Sequence, residues 1–227
     1  MRSPFIILTS SGLALGFALA TATVAQTAQP VASGITANPA VPNAGEVYRR
    51  ALNVNAKLKS YTANVTLDIK MTSFPYLSPE LTGTAYYRQP DKRAVVFDTV
   101  PVLAEQAKKV YPKVEEPVEW PKVYTVTPLR DEAGLTTFRL IPRKNGRVEH
   151  LDVKVDDANG TIVGYAWTYK DGGFVTFDQT FKSIDGNFLP DKLNGRVDLP
   201  SYKANVTSAV SNYKLNVAIA DSVFTEK

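Results

Sequence analysis

The stretch at 61–72, YTANVTLDIKMT, alternates without a break. Tyr61, Ala63, Val65, Leu67, Ile69 and Met71 are apolar or aromatic, and Thr62, Asn64, Thr66, Asp68, Lys70 and Thr72 are polar. Successive side chains of a strand point to opposite faces, so this spacing predicts a long strand that is greasy on one side only. The opening of the pattern returns near the C-terminus as YKANVT, at 202–207. Six residues are too few to establish an internal repeat, so the copy predicts a second strand under the same constraint.

The same period governs most of the chain. TAYYRQ (84–89) and RAVVFDT (93–99) read as strands split by Pro90-Asp91. From residue 122 onward an antiparallel meander is expected at 122–128, 135–142, 147–156, 161–170, 173–183, 188–198 and 202–214. Its turns are signalled by Lys144-Asn145-Gly146, Ala158-Asn159-Gly160, Asp171-Gly172 and Asp185-Gly186. These glycines follow one another at intervals of 14, 12 and 14 residues, and Asn-Gly and Asp-Gly supply the positive φ of tight hairpins. Strands of about ten residues are roughly 33 Å long, and a sheet of about ten of them must curl, split or close. Tyr165, Trp167 and Tyr169 share one face, as do Val175, Phe177 and Phe181 on the next strand.

Helical spacing is scarce. Val47, Ala51, Val54 and Leu58 build one apolar stripe across a helix expected at 44–59. Leu103, Ala107, Val110 and Tyr111 do the same for 102–111, before Pro112 stops it. The three prolines of PKVEEPVEWP (112–121) argue against a helix or a central strand there. Two helices cannot cover both faces of such a sheet. One face is therefore solvated, and the other is filled by helices, by its own side chains or by a ligand. With 44% hydrophobic and 21% charged residues the chain can bury a sizeable core.

The N-terminal 25 residues are different material. Arg2 precedes an apolar stretch, FIILTSSGLALGFALA, and small residues at Ala20-Thr21-Ala22 or Thr23-Val24-Ala25 fit a cleavage site. This reads as a secretory signal peptide, and the stretch is short for a membrane span of roughly 20 residues. Residues 26–43 carry no charge and read as a flexible linker, leaving 44–227 as a single domain. The absence of cysteine suits a periplasmic protein held by its core and rules out a lipidated cysteine within this sequence.

Catalytic signals are thin. His150 is the lone histidine and sits in a strand-like run without a G-x-S-x-G elbow. Metal binding by His and Cys lacks ligands, Asp156-Asp157-Ala158-Asn159-Gly160 lacks the spacing of a calcium loop, and no phosphate or dinucleotide loop is present. A net charge of +4, without a basic stripe, excludes nucleic acid as a partner of choice. No cofactor is implied.

In order, these features resemble the LolA-like proteins, the outer-membrane lipoprotein-sorting factors and their LolB and RseB relatives. The resemblance rests on a helix ending in LKSY, the strand TANVTLDI, and GTAYYRQPDKRAVVF, a Gly-led strand with a proline turn followed by an arginine. IDGNFLP and the closing Asn216, Ile219, Asp221 and Phe224 complete it over roughly 44–227. It implies a mainly β (α+β) fold: an incomplete, curled antiparallel β-barrel of about ten strands, with an N-terminal helix and a lid helix over a hydrophobic cavity. In the carrier that cavity takes lipoprotein acyl chains, without catalysis. The family arginine before the turn proline, which helps hold the lid closed, is Gln89 here, with Arg88 one residue earlier.

Val65, Leu67, Ile69, Tyr87, Trp167, Phe177 and Phe181 are the candidate cavity wall. Arg88, Gln89, Leu103, Ala107, Val110 and Tyr111 are the candidate lid or gate. The leading expectation is a soluble, monomeric periplasmic binder or carrier of lipid-like or lipoprotein acyl ligands, meeting a membrane-protein receptor transiently. A sensor or protein-interaction module of the RseB type is the alternative, and a hydrolase acting through His150 is the third.

Overall fold

The alternation at 61–71 becomes strand β2 (Ser60–Met71), on which Tyr61, Ala63, Val65, Leu67 and Ile69 are buried and Asn64, Thr66 and Lys70 are exposed. The copy behaves the same way on β11 (Tyr202–Leu215), where Ala204, Val206, Ser208 and Val210 are buried between exposed neighbours. The two strands are paired, Val206 opposite Ile69 and Val210 opposite Val65. Residues directly opposite each other in a sheet share a face, so the two greasy sides merge into one.

This computed structural model describes residues 6–9, 35, 38–73, 78–90, 92–98 and 115–225. The remaining strands are β1 (Ile6–Thr9), β3 (Glu80–Arg88), β4 (Lys92–Phe97), β5 (Tyr124–Glu132), β6 (Leu135–Pro142), β7 (Val148–Asp156), β8 (Ile162–Tyr169), β9 (Phe174–Ile184) and β10 (Asn187–Leu199). They form one antiparallel sheet in the order β1-β4-β3-β2-β11-β10-β9-β8-β7-β6-β5. Ten strands make the curled wall, and four residues of the N-terminal apolar stretch add β1 beside β4, with Ile6 opposite Phe97. The two ends of the sheet do not pair, so the barrel is incomplete.

The hairpin chemistry explains the meander. Asp185 and Gly186 both hold positive φ, 49° and 74°, between β9 and β10. Gly160 (φ 78°) closes the β7–β8 turn directly against the helix α1 (Ala44–Asn53). A Cβ there would lie 2.4 Å from the carbonyl carbon of Arg50, so only glycine fits on both counts. The Asp156 carboxylate accepts from the amides of Ala158 (2.8 Å) and Asn159 (3.1 Å), which makes this acidic stretch a self-capped hairpin turn.

Three elements depart from expectation. The first helix stops at Asn53 instead of 59, because Asn55 takes φ 59° and turns its amide to the backbone of Phe188, donating at 2.6 Å and accepting at 2.7 Å. Val54 and Leu58 are still buried, so the apolar stripe was real while the helical backbone beneath it was not. The proline-rich 112–121 segment does contain helix. A 3₁₀ turn at Pro117–Glu119 runs into α2 (Trp120–Val123), with Pro117 and Pro121 at first-turn positions where a missing N–H costs nothing. β5 extends through Pro128 to Glu132, a proline tolerated because this strand ends the sheet and its register shifts there. The expected lid helix at 102–111 lies outside the described residues.

The concave side holds one continuous core. α1 contributes Val47, Tyr48 and Ala51, α2 contributes Trp120, and the sheet contributes its inward residues. Tyr48, Trp120 and Phe138 of β6 form a ring trio with centroids 5.9 to 6.2 Å apart. Each fully buried large side chain of this kind stabilises by roughly 1.5–3 kcal/mol.

Candidate functional site

Of the expected wall residues, Val65, Leu67, Ile69, Tyr87, Trp167 and Phe177 are all buried in the same cluster on the concave face. They come from β2, β3, β8 and β9, strands distant in sequence that the curl brings around one volume. Tyr165 stacks on Trp167 (5.4 Å) and Trp167 meets Phe177 edge-on (5.9 Å), so an aromatic track runs along β8 and β9. Phe181 is only half-buried and lies outside the cluster. It pairs with Pro190 immediately before the register of β10 shifts, which ends the inward alternation of β9.

The polar gate candidates are committed elsewhere. Arg88 donates to the Ile219 carbonyl (2.7 Å), is ion-paired with Asp221 and lies 5.0 Å over the Phe224 ring, so it pins the C-terminal segment to β3. Lys92 reaches the same carboxylate at 2.8 Å. Together they hold the Asp221 carboxyl down at about 2, Lys92 having the larger effect. Gln89 donates to Ala56 O (3.2 Å), binding the β3–β4 turn to the chain after α1. Leu103, Ala107, Val110 and Tyr111 lie outside the described residues.

Arg93, which the sequence reading did not single out, makes the inward polar contact. It sits on β4 directly opposite Tyr87, and since Tyr87 faces the core, Arg93 does too. Its guanidinium lies 5.7 Å over the Tyr87 ring and is ion-paired with Glu116, the residue before Pro117 on the strap that leads into α2. The two side chains are 23% and 18% exposed. Burial opposes the arginine charge, and Glu116, by charge and hydrogen bond, outweighs it, so the guanidinium pKa is raised. The signal for Arg93 was the hairpin itself: a turn centred on Pro90 makes residues 87 and 93 cross-strand partners.

Tyrosines surround this pair. Tyr61 stacks on Tyr87 at 5.5 Å and meets Tyr213 edge-on at 5.3 Å. Tyr165 is buried and close enough to feel both Glu116, which raises its pKa, and Arg93, which lowers it. Burial dominates and pushes the phenols of Tyr61, Tyr165 and Tyr213 well above their ordinary value, so they remain O–H donors. The Tyr213 hydroxyl donates to Pro190 O and that of Tyr48 to Pro117 O, both at 2.6 Å. The Arg93–Glu116 pair ties the strap to the sheet, the Tyr48 bond ties it to α1, and Trp120 Nε1, which donates to Glu115 O (2.9 Å), fixes its own turn.

His150 on β7 has Nε2 3.9 Å from Asp152, but both Asp152 oxygens already accept from Arg139 at 2.7 Å. That is a cross-strand ion pair rather than an activated base. A groove of about 320 Å³ lies between Thr66, Asp68, Glu80, Lys192, Asn194 and Thr207. It lies on the outer face of the sheet, away from the apolar concavity.

No family model and no curated protein matches the sequence. Solved structures do. A LolA superfamily protein from Nitrosomonas europaea superposes with a TM-score of 0.56 at 14% identity, covering 81% of this chain and 97% of its own. The fold is LolA-like. A provisionally named outer membrane lipoprotein-sorting protein domain from Vibrio parahaemolyticus agrees at 0.59 and 11% identity, over 82% of this chain and 95% of its own. A DUF1329 family protein from Desulfovibrio piger does so at 0.59 and 11%, over 79% and 96%. At such identities the likeness is one of architecture. The LolA-like sheet is common to them, and this chain's own residues fill its concave side.

Proposed function

We propose that this chain is a non-catalytic periplasmic binder or carrier of lipid-like or lipoprotein acyl ligands, which meets a membrane-protein receptor transiently and works as a monomer. One observation carries the reading. The apolar concavity of a ten-strand sheet is covered, among the described residues, by one ten-residue helix and a short strap tied down by polar contacts. Local opening of this cover, with the sheet left intact, would let the aromatic track beneath it gain roughly 25 cal/mol per Å² from an acyl chain. Val65, Leu67, Ile69, Tyr87, Trp167 and Phe177 are its wall, and 102–121 its gate. The LolA-like architecture and the N-terminal signal sequence support the periplasmic setting, and no described helix is long and apolar enough to cross a membrane.

The test is native mass spectrometry of the protein taken from its own envelope, with a hydrophobic dye as a displaceable probe. Bound acylated species and dye displacement by lipid are expected. A protein free of lipid that also fails to bind the dye overturns the reading. The filled concave face favours a second reading, an envelope sensor or protein-interaction module. A stable protein complex retained by lipid-free protein would select it. Unchanged behaviour of His150→Ala is expected under both.

A further inference from the structure

An arginine facing the core of a greasy sheet calls for a reason. Burying a charge pair costs more in lost hydration than packed apolar groups would, so stability alone does not explain Arg93. Its partner carboxylate comes from the strap and not from the sheet. Glu116 is extended (φ −61°, ψ 148°), as a residue before proline must be, and the following turn is anchored by Trp120. The sheet thus supplies a fixed cation, and a removable cover supplies the anion.

A second observation points to the same place. The Tyr165 hydroxyl is fully buried and has no hydrogen-bond partner among the described residues, although it senses both Arg93 and Glu116. A buried O–H without an acceptor is unfavourable, and a ligand oxygen reaching it would satisfy it. From Tyr165 the apolar track continues through Trp167 to Phe177.

Resting on the lipid-binding reading above, we infer that Arg93 and Tyr165 form a head-group subsite for an amphiphile with an acidic end, a carboxylate or a phosphate monoester. Glu116 occupies this subsite as the chain's own ligand when the strap is closed. The acidic head of the ligand displaces the Glu116 carboxylate, takes up the guanidinium in a charge-assisted pair and accepts from Tyr165, while its chain lies along the aromatic track. Glu116 thereby couples occupancy to strap opening, since the two anions repel each other and compete for the same guanidinium.

Three titrations of the full-length protein test this: cis-parinaric acid, its methyl ester, and dodecyl phosphate displacing the bound acid. Glu116→Gln is expected to tighten the acid and dodecyl phosphate by about tenfold, the worth of one charged competitor, and to leave the ester unchanged. Arg93→Gln is expected to weaken the acid by about tenfold or more, and Tyr165→Phe by a smaller factor, again sparing the ester. Acid and ester binding equally, with Glu116→Gln without effect on either, overturns the subsite but leaves the lipid-binding reading standing. Absence of binding by acid and ester alike, in wild type and Glu116→Gln, overturns both. Displacement of the acid by millimolar acetate or inorganic phosphate alone would reassign the subsite to free anions. Should either variant of the ion pair fail to fold, the Tyr165→Phe arm decides, because it removes only a hydroxyl and leaves both charges paired.

Discussion

At the scale of single residues, two arginines five positions apart do opposite work. Arg88 faces outward and ties the C-terminal turn, whereas Arg93 faces inward and meets the strap. The outward tie is sensitive to acid. The Asp221 carboxyl is lowered from 3.8 to about 2, chiefly by Lys92 and then Arg88. A group depressed on folding contributes above its unfolded value, so this tie is complete above about pH 4 and is lost as pH falls toward 2. Amide exchange should show it: protection of Phe224, whose N–H donates to Asp221 O at 3.0 Å, should fall across that window while β11 stays protected. Asp221→Asn should show the same loosening at pH 7. A protection that is flat from pH 5 to 2 would contradict the tie. Arg93 was recognisable in sequence only as an arginine after a proline turn. Its inward direction depends on which residues pair across that turn, and a shift of one position would have turned it to solvent.

At the scale of elements, the strap and α1 decide how the concavity is closed. Trp120 is fully buried, packs on Tyr48 and Phe138, and fixes the chain direction through its bond to Glu115. Trp120→Ala should cost about 3–5 kcal/mol if strap and sheet unfold as one unit. A much smaller loss in urea denaturation, with the strap newly open to proteolysis, would identify the strap as a separately opening cover. Strands were legible because a period of two repeats over many residues and each strand reinforces it. The short helix at 120–123 was not, because a four-residue element has no period to read and prolines there signal a helix start as readily as a break. The end of α1 was missed for a related reason: Val54 and Leu58 continue the stripe after Asn55 has turned the backbone.

At the scale of the whole molecule, the buried cluster lies at Val41 or beyond among the residues whose burial is described. A chain beginning at residue 26 should therefore unfold cooperatively with a Tm within a few degrees of the full-length protein. A large drop would mean that the β1 pairing with β4 is part of the folded structure and not a feature of the precursor. Pattern alone carried the class of fold, the antiparallel meander and which side of each long strand turns inward, because alternation and hairpin turns are local and each is set by a few neighbouring residues. Tertiary structure decided which strands end the sheet, that α1 and the strap fill the concavity, and that Arg93 meets Glu116 there. Those facts depend on pairings between residues far apart in the chain, where the free energy of burial and charge is summed over three dimensions and leaves no period behind.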